Sequence, residues 1–375
     1  MTIQATACIR KTAAHWKLAA MAGVMGLSFA ASANAGLVTV PNGDFMQAGN
    51  AGSVGGGLLT PSATDVPIGT DGGPWKGNYS GALGIVAPPT LTIDSNAGSA
   101  AISGILGISV LDIVTNGGFF NQTLPLPYES TKRYTVWTDI RIGSVLDLGL
   151  LSNADVGVAL RSGTSVVADS ASAPANLVDL SLLSGDTYRL TLVYDTDTSA
   201  ASGNVDIALF DQPSDLLTAN LIGGVSFGNV DLNVGAITDA TTQLQVSGLG
   251  SMSAEVNTPF PGTLKALVTD ADGSPLEGVV VQANAPKNGA SAVLSTALDS
   301  GDSVRAVTDD DGIAEIGATA NGIAGCYPVT VTLPGSPSRA VFHLRNWSVE
   351  EMAGFSARGV IPYLLQDSIF CDGFE

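Results

Sequence analysis

Ser226 stands in Gly224-Val225-Ser226-Phe227-Gly228, the G-x-S-x-G spacing of a serine-hydrolase elbow, and His343 is the only histidine downstream of it. That spacing does chemistry when a sharp strand-to-helix turn lifts the serine above an α/β sheet. Here the flanks are glycine-rich and β-like, so the motif reads as chance. Asp299-Ser300-Gly301 has half of an aspartic-protease pair; the mechanism needs a second loop to share the proton, and no second copy occurs. Paired carboxylates for glycoside cleavage would have to be aspartates, because most glutamates lie outside the N-terminal part. The acidic turns at Asp270/Asp272 and at Asp309, Asp310 and Asp311 lack the spaced ligands and final glutamate of an EF-hand and read as hairpin turns. No catalytic residue, metal or cofactor is expected. Cys326 and Cys371 are expected to form one disulfide, closing a loop of about 45 residues for roughly 4 kcal/mol.

A different chemistry emerges from strand alternation. Trp137 shares a face with Thr135, Asp139 and Arg141, opposite Tyr134, Val136 and Ile140. By the same rule Arg161, Arg189 and Asp206 point away from the aliphatic sets of their own strands. An aromatic ring beside arginine and aspartate suits sugar recognition, through stacking on the pyranose face and bidentate hydrogen bonds to hydroxyls. Trp137, Asp139, Arg141, Arg161, Arg189 and Asp206 are therefore the candidate ligand-binding residues. The competing expectation is ordinary sheet surface, with Trp137 covered and the arginines spread over two sheets.

The elements that would position them are short strands. Runs such as 134–141, 156–161, 188–195 and 205–210 alternate with period two, and turn clusters such as Ser202-Gly203-Asn204 separate them. Helix signals are confined to 348–356, where Ser348 is the N-cap and Glu350 and Glu351 fill the first turn. The class expected is all-β: an N-terminal jelly-roll-like β-sandwich followed by an Ig-like β-sandwich. Residues 1–35 read as a signal peptide, with Arg10, Lys11 and Lys17, an apolar run from Leu18 to Ala31, and the small-x-small site Ala33-Asn34-Ala35. The expected divisions are 36–250 for the first sandwich, 251–262 for a linker and 263–335 for the second. Residues 336–375 are expected as an extension tied back by the disulfide.

Composition narrows the partners. The 375 residues carry 34 acidic against 15 basic side chains, a net charge of −19 that becomes −22 once a leader with three basic and no acidic residues is removed. Nucleic acid and anionic lipid both demand a basic face, so neither is expected as partner. No segment after the leader reaches spanning length free of charges, Gly or Ser.

The stretch Gly262 to Leu333 resembles a bacterial Ig-like domain of the invasin and intimin type, Big-1. The residues that carry it include Val268-Thr269-Asp270-Ala271-Asp272-Gly273-Ser274-Pro275-Leu276-Glu277-Gly278 and Val307-Thr308-Asp309-Asp310-Asp311-Gly312. The resemblance implies an Ig-like sandwich serving as spacer or adhesive module, without catalytic residues. Pro328 departs from the pattern, so its strand is expected at an edge or bulged. More loosely, Val40-Pro41-Asn42-Gly43-Asp44-Phe45 with Gly73-Pro74-Trp75 resembles the opening strand and following Trp segment of a carbohydrate-binding jelly roll. The expectation is a secreted or surface-associated, non-enzymatic protein of adhesion or carbohydrate binding, with polysaccharide or surface glycan as partner. The alternatives are a secreted hydrolase acting through the N-terminal part, discriminated by whether Ser226, His343 and an aspartate converge, and a purely structural surface component.

Overall fold

Among the described residues, the runs that alternate with period two, 134–141, 156–161, 188–195 and 205–210, form strand. The structure, a computed structural model, describes residues 36–56, 62–70, 72–80, 89–103, 117–142, 156–170, 178–184, 187–211, 225–334 and 336–357. The expected leader, Gly224, Cys371 and the C-terminal tail lie outside the described residues.

The first fourteen strands fill the N-terminal part. They are β1 (Leu37–Val38), β2 (Gly52–Gly55), β3 (Ser62–Pro67), β4 (Lys76–Ser80), β5 (Thr90–Asp94), β6 (Ser99–Ser103) and β7 (Gly117–Pro127). Then come β8 (Lys132–Ile142), β9 (Val156–Ser162), β10 (Ser165–Asp169), β11 (Val178–Ser184), β12 (Thr187–Asp195), β13 (Asn204–Asp211) and β14 (Val225–Ala236). One sheet runs β11-β12-β8-β14-β6-β5-β2, with β1 added to β14, and the other runs β10-β9-β13-β7-β4-β3. All pairings in both sheets are antiparallel. Their inner faces share one core, in which Tyr134, Val136 and Ile140 of β8 meet Val158 and Leu160 of β9 and Ile207 and Leu209 of β13. The inward sets are those alternation selected.

The second part uses β15 (Gln243–Ser247), β16 (Ser251–Glu255), β17 (Leu264–Thr269), β18 (Val280–Asn284) and β19 (Ala292–Ser295). It continues with β20 (Ser300–Gly301), β21 (Ser303–Val307), β22 (Ile313–Ala320), β23 (Gly325–Thr332) and β24 (Arg339–Trp347). The sheets run β15-β17-β22-β19-β20 and β16-β24-β23-β18-β21 around a second core centred on Leu264, Val281, Leu294, Val329 and Phe342. The molecule is thus all-β, built as β-sandwiches, as its alternation dictates.

Three local expectations differ from the structure. Ser251–Glu255, placed in the linker, is strand β16; it pairs parallel with β24 and sends Met252 and Ala254 into the second core. Arg339–Trp347, placed in the extension, is β24 itself, with Phe342 and Leu344 fully buried. Ser-Met-Ser-Ala-Glu does alternate, but over only five residues with two apolar side chains, and its partner strand is 92 positions away. Val40 to Phe45 is a succession of turns rather than an opening strand, with Asn42 and Phe45 at positive φ. Phe45 nevertheless packs on buried Trp75 at 5.2 Å, and the Trp75 indole donates to the Asn42 carbonyl.

Pro328 sits on β23, an interior strand of its sheet. Pairing with β18 begins only at Thr330, so the proline occupies a stretch that is locally an edge and removes no ladder hydrogen bond. The one α-helix among the described residues, α1 (Val349–Ala357), opens on a reciprocal capping box. The Ser348 hydroxyl accepts from Glu351 N and the Glu351 carboxylate accepts from Ser348 N. Among the described residues, no helix is long and apolar enough to cross a membrane.

Candidate functional site

The outward face of β8, β12 and β14 gathers polar residues because each strand sends its aliphatic set inward. Antiparallel register puts Arg189 opposite Asp139, Thr191 opposite Trp137, and Asp231 opposite Trp137 on the other side. A bulge between Gly228 and Asp231, with Asn229 at φ 49°, redirects β14 toward this face. Asn229 Nδ2 then donates to Asp139 Oδ2 at 2.8 Å.

This face meets the second sandwich. Thr296 Oγ1 accepts from the amides of Leu298 and Asp299 and donates to the Arg305 carbonyl, which fixes Asp299 beside β21. Asp299 Oδ2 accepts from Arg305 N at 3.0 Å and Nε at 2.7 Å, while Oδ1 accepts from Arg305 Nη2 at 3.0 Å and Arg189 Nη1 at 2.9 Å. Arg189 Nε completes the ladder to Asp139 Oδ1 at 2.9 Å, and Arg305 also reaches Asp231 at 3.6 Å. The Arg305 guanidinium lies over the Trp137 ring, 4.5 Å from its centroid. Trp137 is only 2% exposed. It is therefore not an open stacking platform: its outer side is taken by an arginine from the other sandwich.

Electrostatics follow this geometry. Burial alone would raise the Asp299 carboxyl, but hydrogen bonds and charge from Arg305 and Arg189 overcome it and hold it at about 2. Burial opposes the Arg189 charge, yet Asp139 and Asp299 outweigh it and raise its pKa. Asp231 is pushed up by burial, against the pull of Arg305 and Arg189.

Close backbone contact extends the junction. Asn233 Nδ2 donates to the Gly278 carbonyl at 2.7 Å and Ala236 N donates to that of Glu277. Gly235 and Gly278 approach so nearly that a Cβ on Gly235 would overlap the Gly278 carbonyl. Gly278 also needs its positive φ of 71°. Beside these contacts a cleft of about 650 Å³ opens. The first sandwich lines it with Arg133, Trp137, Arg189 and Asn233, and the second with Gln282, Lys287, Asp302 and Arg305.

Of the six candidate residues, Trp137, Asp139 and Arg189 come together at this junction. Arg141 is exposed on the same face, 3.5 Å from the Thr187 hydroxyl. Arg161 and Asp206 are register partners on the other sheet, so the six do not form one site. There the Arg161 guanidinium stacks on Phe119 at 4.9 Å, and Asp206 Oδ2 accepts from Asn121 and Thr123. Asp206 is almost fully buried and its Oδ1 has no hydrogen-bond partner; burial raises its pKa, against those two hydrogen bonds. Asp299, Arg305 and Asp231 were missed as site residues. The one available signal was Arg305 inside the otherwise apolar run Val304 to Val307.

The elbow motif is dismantled by the fold. Ser226 is the second residue of strand β14, opposite Ala101 and Arg141, and its hydroxyl contacts the Arg141 carbonyl at 3.5 Å. His343 is exposed on β24, paired with Pro328 and Ser251 of the second sandwich. The acidic turns use their carboxylates internally: Asp270 Oδ1 accepts from Asp272 N and Ser274 N, and Asp309 Oδ1 from Asp311 N and Ile313 N. Cys326 is half-buried on β23; its expected partner lies outside the described residues.

No family model matches the chain, and no curated protein matches it. Solved structures similar to it include the adhesin domain of Epf from Streptococcus pyogenes, at 12% identity over 83% of this chain and 96% of that one, with a TM-score of 0.29. The adhesin InvE of Yersinia pseudotuberculosis is 12% identical over 62% of this chain and 54% of that one, with a TM-score of 0.23. The Escherichia coli adhesin FdeC is 14% identical over 80% of this chain and 98% of that one, with a TM-score of 0.19.

Proposed function

We propose that the chain is an exported, non-enzymatic binding protein of the adhesion type, taking polysaccharide or cell-surface glycan as its partner. The junction cleft carries this reading. It has the volume of a ligand site and a mixed lining in which a few polar groups converge. Three of the residues selected for sugar contact meet at that junction. Two sandwiches fastened by an ion-pair ladder also make a stiff presenting unit, the first jelly-roll-like and the second Ig-like. Export rests on the leader, and a Cys326–Cys371 disulfide would pin the tail to β23.

The test is retention of the purified, exported chain on intact cells and immobilised polysaccharides, alongside ester and glycoside hydrolysis. Retention without turnover is expected. Hydrolysis that disappears in Ser226→Ala would make the protein an enzyme instead, and absence of retention on every surface would remove the binding reading.

A further inference from the structure

The charged side chains that meet where the sandwiches dock do not balance. Arg189 and Arg305 bring two positive charges, while Asp139, Asp231 and Asp299 bring three negative ones. Asp299 takes four hydrogen bonds from the two arginines. Asp139 takes Arg189 Nε at 2.9 Å and Asn229 Nδ2 at 2.8 Å. Asp231 is left with Arg305 Nη2 at 3.6 Å, beyond hydrogen-bond length, as its one ion pair among the described residues. We propose that the junction is an acid-tightened latch, in which Asp231 is the surplus carboxylate and its protonation strengthens the docking of the two sandwiches.

The cations that face Asp231 are committed elsewhere. Arg305 of β21 directs Nε and Nη2 to Asp299, and Arg189 of β12 directs Nε to Asp139 and Nη1 to Asp299. Asp139 of β8 and Asp299, just before β20, add negative charge beside it. On β14 itself the neutral Asn229 turns to Asp139. Burial is the largest influence on the Asp231 carboxyl and raises its pKa above the usual 3.8, against the pull of both arginines. Asp299 is shifted the opposite way, to about 2. A raised folded value means that ionising Asp231 costs stability, which is lost as pH rises from 3.8 through that value and regained on acidification. The Asp299 contribution begins to fall only below 3.8. Falling pH therefore protonates the surplus carboxyl before it disturbs the paired one.

Hydrogen exchange of the full chain reads the junction through two amides. Arg305 N donates to the Asp299 carboxylate, and Ala236 N donates across the junction to the Glu277 carbonyl. Their protection factors, corrected for the intrinsic pH dependence of exchange, are taken relative to the Leu209 amide of the first core. Wild type, Asp231→Asn and Asp206→Asn are compared from neutral pH to about pH 4. In wild type both junction amides should gain about threefold or more on acidification: one pKa unit is tenfold, and solvent at the one-third-exposed Asp231 side chain takes part of it. Asp231→Asn should start from the higher protection at neutral pH and show no further gain. Asp206→Asn, on the far sheet, should keep the wild-type gain. Should Asp231→Asn fail to fold, Asp231→Ser replaces it. Flat or falling protection in wild type would overturn the latch, as would a gain that survives without Asp231 or disappears without Asp206. Lower protection of Asp231→Asn at neutral pH would also overturn it, by showing that the long Arg305 pair holds the junction.

Discussion

Replacing Asp299 by asparagine isolates the junction from the rest of the fold. The carboxylate receives four hydrogen bonds, three from Arg305 and one from Arg189, at a side chain that is 10% exposed. Asparagine keeps the shape, but it removes the charge and turns an amide toward two guanidinium groups. Removing one partner of a buried pair costs about 3–5 kcal/mol. Arg189 still has Asp139, and Arg305 still has Asp231 at 3.6 Å, so the lower end, about 3 kcal/mol, is expected. The depressed carboxyl pKa gives a second figure from the same contacts. A carboxyl held at about 2 instead of 3.8 contributes about 2 kcal/mol. Because the folded value is depressed, this stability is complete above pH 3.8 and is lost as the pH falls through about 2. Urea unfolding at neutral pH should therefore show Asp299→Asn weaker by about 2–3 kcal/mol. The gap between wild type and variant should close on acidification over that window. A loss below about 0.5 kcal/mol, or a gap that persists at low pH, would refute the claim that this carboxylate holds the sandwiches together.

Two further substitutions probe other parts of the same account. Gly235→Ala places a methyl group against the Gly278 backbone, which cannot rotate away; a loss of about 1–3 kcal/mol is expected, and an unchanged urea midpoint would show that the two strands need not approach so closely. Asp206→Asn should leave stability at neutral pH unchanged or raise it by up to about 1 kcal/mol, because it removes a buried charge with an unpartnered oxygen. The raised folded pKa means that wild-type stability falls as pH rises from 3.8 through the folded value, and that slope should vanish in the variant. A calorimetric loss of more than about 1 kcal/mol at neutral pH would show that the carboxylate charge is compensated after all.

Alternation sufficed to sort side chains by face. Tyr134, Val136 and Ile140 join the core while Trp137 and Asp139 take the opposite face of β8, and Val205, Ile207 and Leu209 join it while Asp206 takes the opposite face of β13. A period of two carries one bit per residue, however, and does not say which sheet a strand joins. Arg161 and Arg189 have the same pattern and lie on different sheets. Nor does local sequence say what an outward face will meet. Asp299 is 110 positions from Arg189, and their contact depends on where Gly278 can approach Gly235 and on a bulge at Asn229.

The outward Trp-Arg-Asp set that suited a sugar also suits a second protein surface, because both partners demand an apolar plane beside fixed charges. In this chain the protein surface occupies most of it: Arg305 takes the indole and Asp299 takes the guanidinium. What the docking leaves open is the cleft beside these contacts, lined by Arg133 and Asn233 from the first sandwich and Gln282 and Lys287 from the second. Under the proposed function, recognition depends on the docked arrangement itself, because both sandwiches line the cleft. Asp299→Asn should weaken glycan binding together with junction stability, whereas Asp206→Asn, on the far sheet, should change neither. Binding by Asp299→Asn at wild-type strength, with the junction measurably loosened, would separate the two and place the ligand elsewhere.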